Sequence, residues 1–277
     1  MAHTHQRHTL TAEAQDLTRT TTLHKREFAP AMTKRFRRLK GLLRTTVGYE
    51  NDALELAAAQ PRDHFTFDTR ADAVDAFTEW LQEALDEDVL EQITPSRIAQ
   101  GGHYTGPYLR TAYLRGLRGA ERRLEEAGIH AGEASVGATF RMPVHQRTVQ
   151  EIYTRAYDNL AGITDAIQET VRDDLATALT EGWNPRKAAA RLTQDIDDIG
   201  ITRARTLSRT EISNAYNTAS ARRYDGAGVD EVRILTSDPC PVCEALATNG
   251  PYPVSEADGL IPGRTHPNCV CCIAPVV

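Results

Sequence analysis

Apolar residues recur every three or four positions from Val149 through Ile152, Ala156, Leu160, Ile163, Ile167, Val171 and Leu175 to Leu179. They draw one stripe along a predicted helix of about eight turns, which Gly182 ends. Asn184 and Pro185 open a second helix with Ala188, Leu192 and Ile196 inward, because Asn accepts the free N–H groups of a first turn and Pro suits its φ. A third is predicted from Thr202 through Ala204, Leu207, Ile212, Ala215 and Ala219 until Gly226 and Gly228 stop it. Residues 231–236 then alternate as a strand does. Upstream, residues 65–90 and 105–127 have helical periodicity, while residues 128–143, rich in Gly and Ala, read as a connector. Phe36, Leu39, Leu43 and Val47 share one face of a further helix.

The fold class expected is mainly α, with helical N-terminal and central regions and a small α+β C-terminal module of one or two strands. Five segments follow: 1–20, Thr- and His-rich and expected to lack structure; 21–48, a basic amphipathic helix; 49–135, helical and acidic; 136–230, a three-helix unit; and 231–277, the C-terminal module. No apolar run in the 277 residues approaches membrane-spanning length, so no membrane role is expected.

The net charge of -6 conceals an uneven distribution. Lys34, Arg35, Arg37, Arg38, Lys40 and Arg44 crowd the polar side of the basic helix, and like charges so close repel unless something negative is near. DNA, an acidic protein partner, or the chain's own acidic stretch from Asp72 to Glu91 would each serve. The helix also offers its apolar stripe for docking. A plain solvated surface is the competing reading.

All five cysteines lie beyond residue 239, as Cys240-Pro-Val-Cys243 and His266-Pro-Asn-Cys269-Val-Cys271-Cys272. Two residues between donors let a tight turn aim both at one metal, so the tail reads as two hooks around a tetrahedral zinc. Cys240, Cys243 and Cys269 are expected ligands, with His266 or Cys271 completing the set and Cys272 a further substitute. Disulfides fit an odd count of cysteines poorly, and the opening residues show no apolar signal region. Buried free thiols are the other bland reading, and so Pro- and Gly-rich a tail promises little core for them. The zinc expected is structural, since Pro239-Cys240-Pro-Val-Cys243 matches half of a zinc deaminase signature and the H-x-E half is missing. His130-Ala-Gly-Glu133 is one residue too long and far upstream, so neither enzymatic activity nor a small-molecule substrate is expected.

Three segments across residues 145–275 carry a resemblance. They are Glu181-Gly182-Trp183-Asn184-Pro185-Arg186-Lys187, then Arg209-Thr210-Glu211 followed by Asn214, Ala215 and Asn217, and last Asp238-Pro-Cys240-Pro-Val-Cys243 continued by His266-Pro-Asn-Cys269-Val-Cys271. In this order they resemble the Mu F-like minor head proteins of tailed phages, also called head morphogenesis proteins. Val270 stands where that family usually has Arg. The resemblance implies a structural virion component of the capsid interior near the portal vertex, present in the host cytoplasm during assembly. Its implied partner is portal protein, with viral DNA and major capsid protein as further candidates. Arg209 and Glu211 are expected either to be solvated or paired with a neighbour, or to tie their helix to the zinc module with Asp238. A zinc-containing nucleic-acid-binding protein unrelated to capsids is the alternative.

Overall fold

The computed structural model describes residues 20–48, 70–129, 135–236 and 239–276. Nearly all of the segment expected to lack structure, part of the acidic region, and the residues His130, Glu133 and Asp238 lie outside them. In chain order the elements are α1 (Ala29–Val47, after a π-helical turn His24–Phe28), α2 (Arg70–Leu85, continued by a π turn Asp86–Leu90), α3 (Pro95–Ala99), α4 (Gly106–Glu126), α5 (Val136–Phe140), α6 (Pro143–Glu181), α7 (Pro185–Asp195, continued by a π turn Ile196–Ile201), α8 (Thr202–Gly226), β1 (Glu231–Leu235), α9 (Pro241–Thr248), β2 (Tyr252–Pro253) and β3 (Cys272–Val276). The class is mainly α with a small α+β end, and that end holds three strands rather than one or two. Among the described residues no helix is long and apolar enough to cross a membrane.

The described residues form two compact units that interleave along the chain: those within 1–29, 95–156 and 206–277 in the first, and those within 30–94 and 157–205 in the second. Two of the boundaries fall inside the long helices α6 and α8.

In the second unit Phe36, Leu39, Leu43 and Val47 of α1 are wholly buried, as are Leu81 and Leu85 of α2, Leu160, Ile167 and Leu175 of α6, and Ile196. The apolar stripe of α1, read as a docking face, is core. Gly200 is small for a reason, since a Cβ there would stand 2.7 Å from the Phe36 ring and 3.2 Å from Ile167.

In the first unit α8 is buried on nearly every side from Ile212 to Ala221. It lies so close to α4 that a Cβ on Gly116 would meet the Tyr216 carbonyl at 2.3 Å, and the Ser220 hydroxyl donates to the Gly116 carbonyl at 3.3 Å. Leu207, expected inward, is only half-buried; Ser208 takes the buried position and hydrogen-bonds His24 Nδ1 at 3.0 Å. The connector is partly helical, because Ser135 caps α5 by accepting from the Ala138 N–H. β1 is the central strand, antiparallel to β2 (Val232 opposite Tyr252) and to β3 (Leu235 opposite Cys272).

Burial, helped by the Arg209 charge, lowers the pKa of His24 from 6.5 to about 4. Burial lowers His145 as well. Between those values the unfolded chain binds more protons than the folded one, so the contribution of neutral His24 is complete above pH 6.5 and is lost as pH falls toward 4. The shift corresponds to about 3 kcal/mol. The urea midpoint is expected to fall across that window, and the fall to be shallower in His24→Gln; identical slopes would contradict this assignment.

Candidate metal centre

Cys240 is the cap residue of α9, in extended conformation with Pro241 as the first helical position. Cys243 follows in the first turn, so the helix start brings the two thiols to one side. The Cys243 backbone N–H beside the Cys240 sulfur holds that thiol below its ordinary value, as a helix N-terminus does for a thiolate. The second hook closes where the Cys269 N–H donates to the His266 carbonyl at 3.2 Å, with Asn268 at φ 69. Asn is among the residues that tolerate the left-handed region. His266 Nδ1 lies 2.7 Å from the Pro267 carbonyl, which makes it the protonated nitrogen and leaves Nε2 as a lone pair 3.4 Å from Cys243 Sγ.

The donors form two overlapping groups able to hold a metal ion, Cys240 with Cys243 and His266, and Cys243 with Cys269 and Cys271, each within 4.8 Å. Ligands on a tetrahedral ion, at ~2.3 Å for sulfur and ~2.1 Å for nitrogen, stand ~3.8 Å (S to S) and ~3.6 Å (S to N) apart. The Cys243–Cys269 separation of 3.7 Å and the Cys243–His266 separation of 3.4 Å match those edges.

Electrostatics agree with geometry. A hydrogen bond from Cys271 lowers the Cys269 thiol and the same interaction raises Cys271, while burial raises Cys243. Crowded buried thiols share protons because an apolar pocket disfavours several negative charges; a bound dication removes that conflict. Cys272 takes no part. It packs with Tyr216, Leu235 and Ala274, and its sulfur accepts from the buried Arg123 at 3.4 Å.

The expectation of little core is corrected. Cys243, Cys269 and Cys271 are buried in a cluster with Val232, Ile234, Tyr252, Leu260, Ile261 and Ile273 that also includes Ala120 and Leu124 of α4 and Tyr224 of α8. The module is thus continuous with the helices beside it. Arg209 acts on His24, and Glu211, almost wholly buried, pairs with Arg155 at 3.2 Å. Thr210 and Asn217 join the helix to the metal-binding module. The Thr210 hydroxyl accepts the Asn268 N–H at 3.0 Å; Asn217 accepts the Ile273 N–H at 3.1 Å and donates to the Cys271 carbonyl at 3.2 Å. The signal was an Asn in mid-helix, where propensity disfavours it.

The basic helix divides. Arg35 bonds the Asp88 carbonyl at 2.9 Å and the Glu91 carboxylate, Arg38 pairs with Asp88 at 3.3 Å, and Lys40 pairs with Asp197. For Arg35 and Arg38 the chain's own acidic stretch is the counter-charge. Lys34, Arg37 and Arg44 are exposed and make no ion pair among the described residues.

Comparison with family models, with curated proteins and with solved structures finds no match to this chain.

Proposed function

We propose that this chain is a minor structural head protein of a tailed virus, associated with the portal and the capsid interior and acting in head morphogenesis. Its C-terminal module is held by a structural zinc ion. The observation that carries the reading is the mating of two segments that resemble the Mu F-like family: the Thr210–Asn217 stretch of α8 clasps the backbone of the His266–Ile273 hook. Their shared occurrence in one sequence then has a physical reason. Each is half of one joint.

Within the module, the four ligands proposed are Cys240, Cys243 and His266 of one donor group with Cys269 of the other, and the Cys271 thiol is hydrogen-bond partner to Cys269. His266 is preferred because its tautomer presents Nε2 to the shared Cys243. A filled four-ligand sphere leaves no position for an activated water, so the metal's role is to close the fold.

The test is co-purification with portal protein from assembling heads. Deletion of the first 48 residues is unsuitable, because it removes the core of the second unit. The Lys34→Glu/Arg37→Glu pair, both exposed, is the cleaner probe of docking through α1, and is expected to weaken portal association while Cys243→Ser retains it. Free protein with a sequence-specific DNA footprint would favour the alternative, a zinc-containing nucleic-acid-binding protein unrelated to capsids.

A further inference from the structure

In the second unit, α1 and the α7 segment with its π turn leave an open groove between them. Two adjoining hollows, of about 750 Å³ and about 530 Å³, share Lys40, Gly41, Arg44 and Asp197. Arg37, Lys40 and Arg44 line one wall; Arg186 and Arg205 come from the other side. Among the described lining residues the carboxylates are Asp197, already paired with Lys40, and Asp198, and Arg205 has a partner of its own. In a chain of net charge -6, this is a local inversion of sign in a concave surface.

The floor is made of small residues: Gly41, Thr45, Ala189, Ala190 and Thr193. A Cβ on Gly41 would meet nothing within 4 Å, so a ligand can approach the α1 backbone closely. Arg37 and Arg44, two turns apart, span about 10 Å of helix axis, the axial rise of about three phosphates of one DNA strand.

We infer that this groove, rather than the basic face of α1 as a whole, is a binding site for the phosphate backbone of duplex DNA, with Arg37 and Arg44 on one side and Arg186 and Arg205 on the other. The choice of DNA over another polyanion rests on the proposed capsid-interior role. Arg35 and Arg38, tied to Asp88 and Glu91, lie outside the site. So does Lys34, an exposed cation on the same helix that does not line the groove. Recognition is of backbone charge, without base readout.

The test uses the full chain and a fluorescein-labelled duplex of roughly 30 base pairs and random sequence, titrated by anisotropy across a salt series. Arg44→Glu/Arg186→Glu is expected to weaken binding at least about tenfold and to flatten the slope of log K against log salt by about 2. Gly41→Trp changes no charge at a position where a Cβ meets nothing within 4 Å, and is expected to weaken binding by a similar factor through obstruction. Lys34→Glu should stay within about twofold of the parent. Circular dichroism checks the fold of each variant. No salt-dependent binding by the parent, equal loss in Lys34→Glu and the double variant, or full binding by Gly41→Trp would each overturn the assignment. DNA binding through the groove without portal association would leave this site standing and remove the head-protein reading; portal association without DNA binding would do the reverse.

Discussion

Cys243→Ser is expected to strip the metal from the chain and open the C-terminal module. Cys243 belongs to both donor groups, so no rearrangement of Cys240, His266, Cys269 and Cys271 replaces it without moving backbone. A structural zinc contributes on the order of 10 kcal/mol to folding of its module, comparable to the stability of a whole domain. Because the thiols share a core with Ala120, Leu124 and Tyr224, the loss should also loosen α4 and α8. The helices of the second unit should keep their circular dichroism. Elemental analysis in reducing buffer should find about one zinc per parent chain, near none in Cys243→Ser, and an unchanged content in Cys272→Ser, whose sulfur faces Arg123. Limited proteolysis should cut the variant first between residues 239 and 271. A metal-free parent that resists protease equally well would contradict the assignment.

Asn217→Leu should be nearly as damaging, without touching a ligand. The Asn217 side chain is buried and satisfies the Ile273 N–H and the Cys271 carbonyl, besides donating to the Ser213 carbonyl at 2.9 Å. Leucine leaves a buried donor and a buried acceptor unpaired, each costing about 1–3 kcal/mol, so a loss of about 3 kcal/mol is expected in urea unfolding. Zinc should still bind, though less tightly, since the second hook is then held to α8 through Thr206 and Thr210 at Asn268. A change below about 1 kcal/mol would show that the backbone of β3 finds other partners.

What could be read in the sequence followed from periodicity and spacing. The stripe from Val149 to Leu179 lies within α6, and the two hooks converge as their spacing requires. Periodicity does not say what covers an apolar face, which is why the stripe of α1 read as a docking surface and proved to be core. Nor does it foresee a π turn: the extra residue at Ile196–Ile201 joins α7 to α8 without the break expected between them. Spacing alone leaves Cys271 and Cys272 equivalent, and only the fold separates them, Cys271 among the thiols and Cys272 against Arg123. The conspicuous charges Arg209 and Glu211 drew attention from their plainer neighbours. Thr210 and Asn217 matter because of backbone groups more than fifty residues away, and nothing local to the helix records those partners.

The central claim, a minor component of the viral head, is tested most directly by the protein composition of purified mature particles. Quantitative mass spectrometry should find this chain in particles together with portal protein, at far lower abundance than the major capsid protein, and protected from external protease until the capsid is opened. Its absence from particles, or removal by protease from intact ones, would contradict the account.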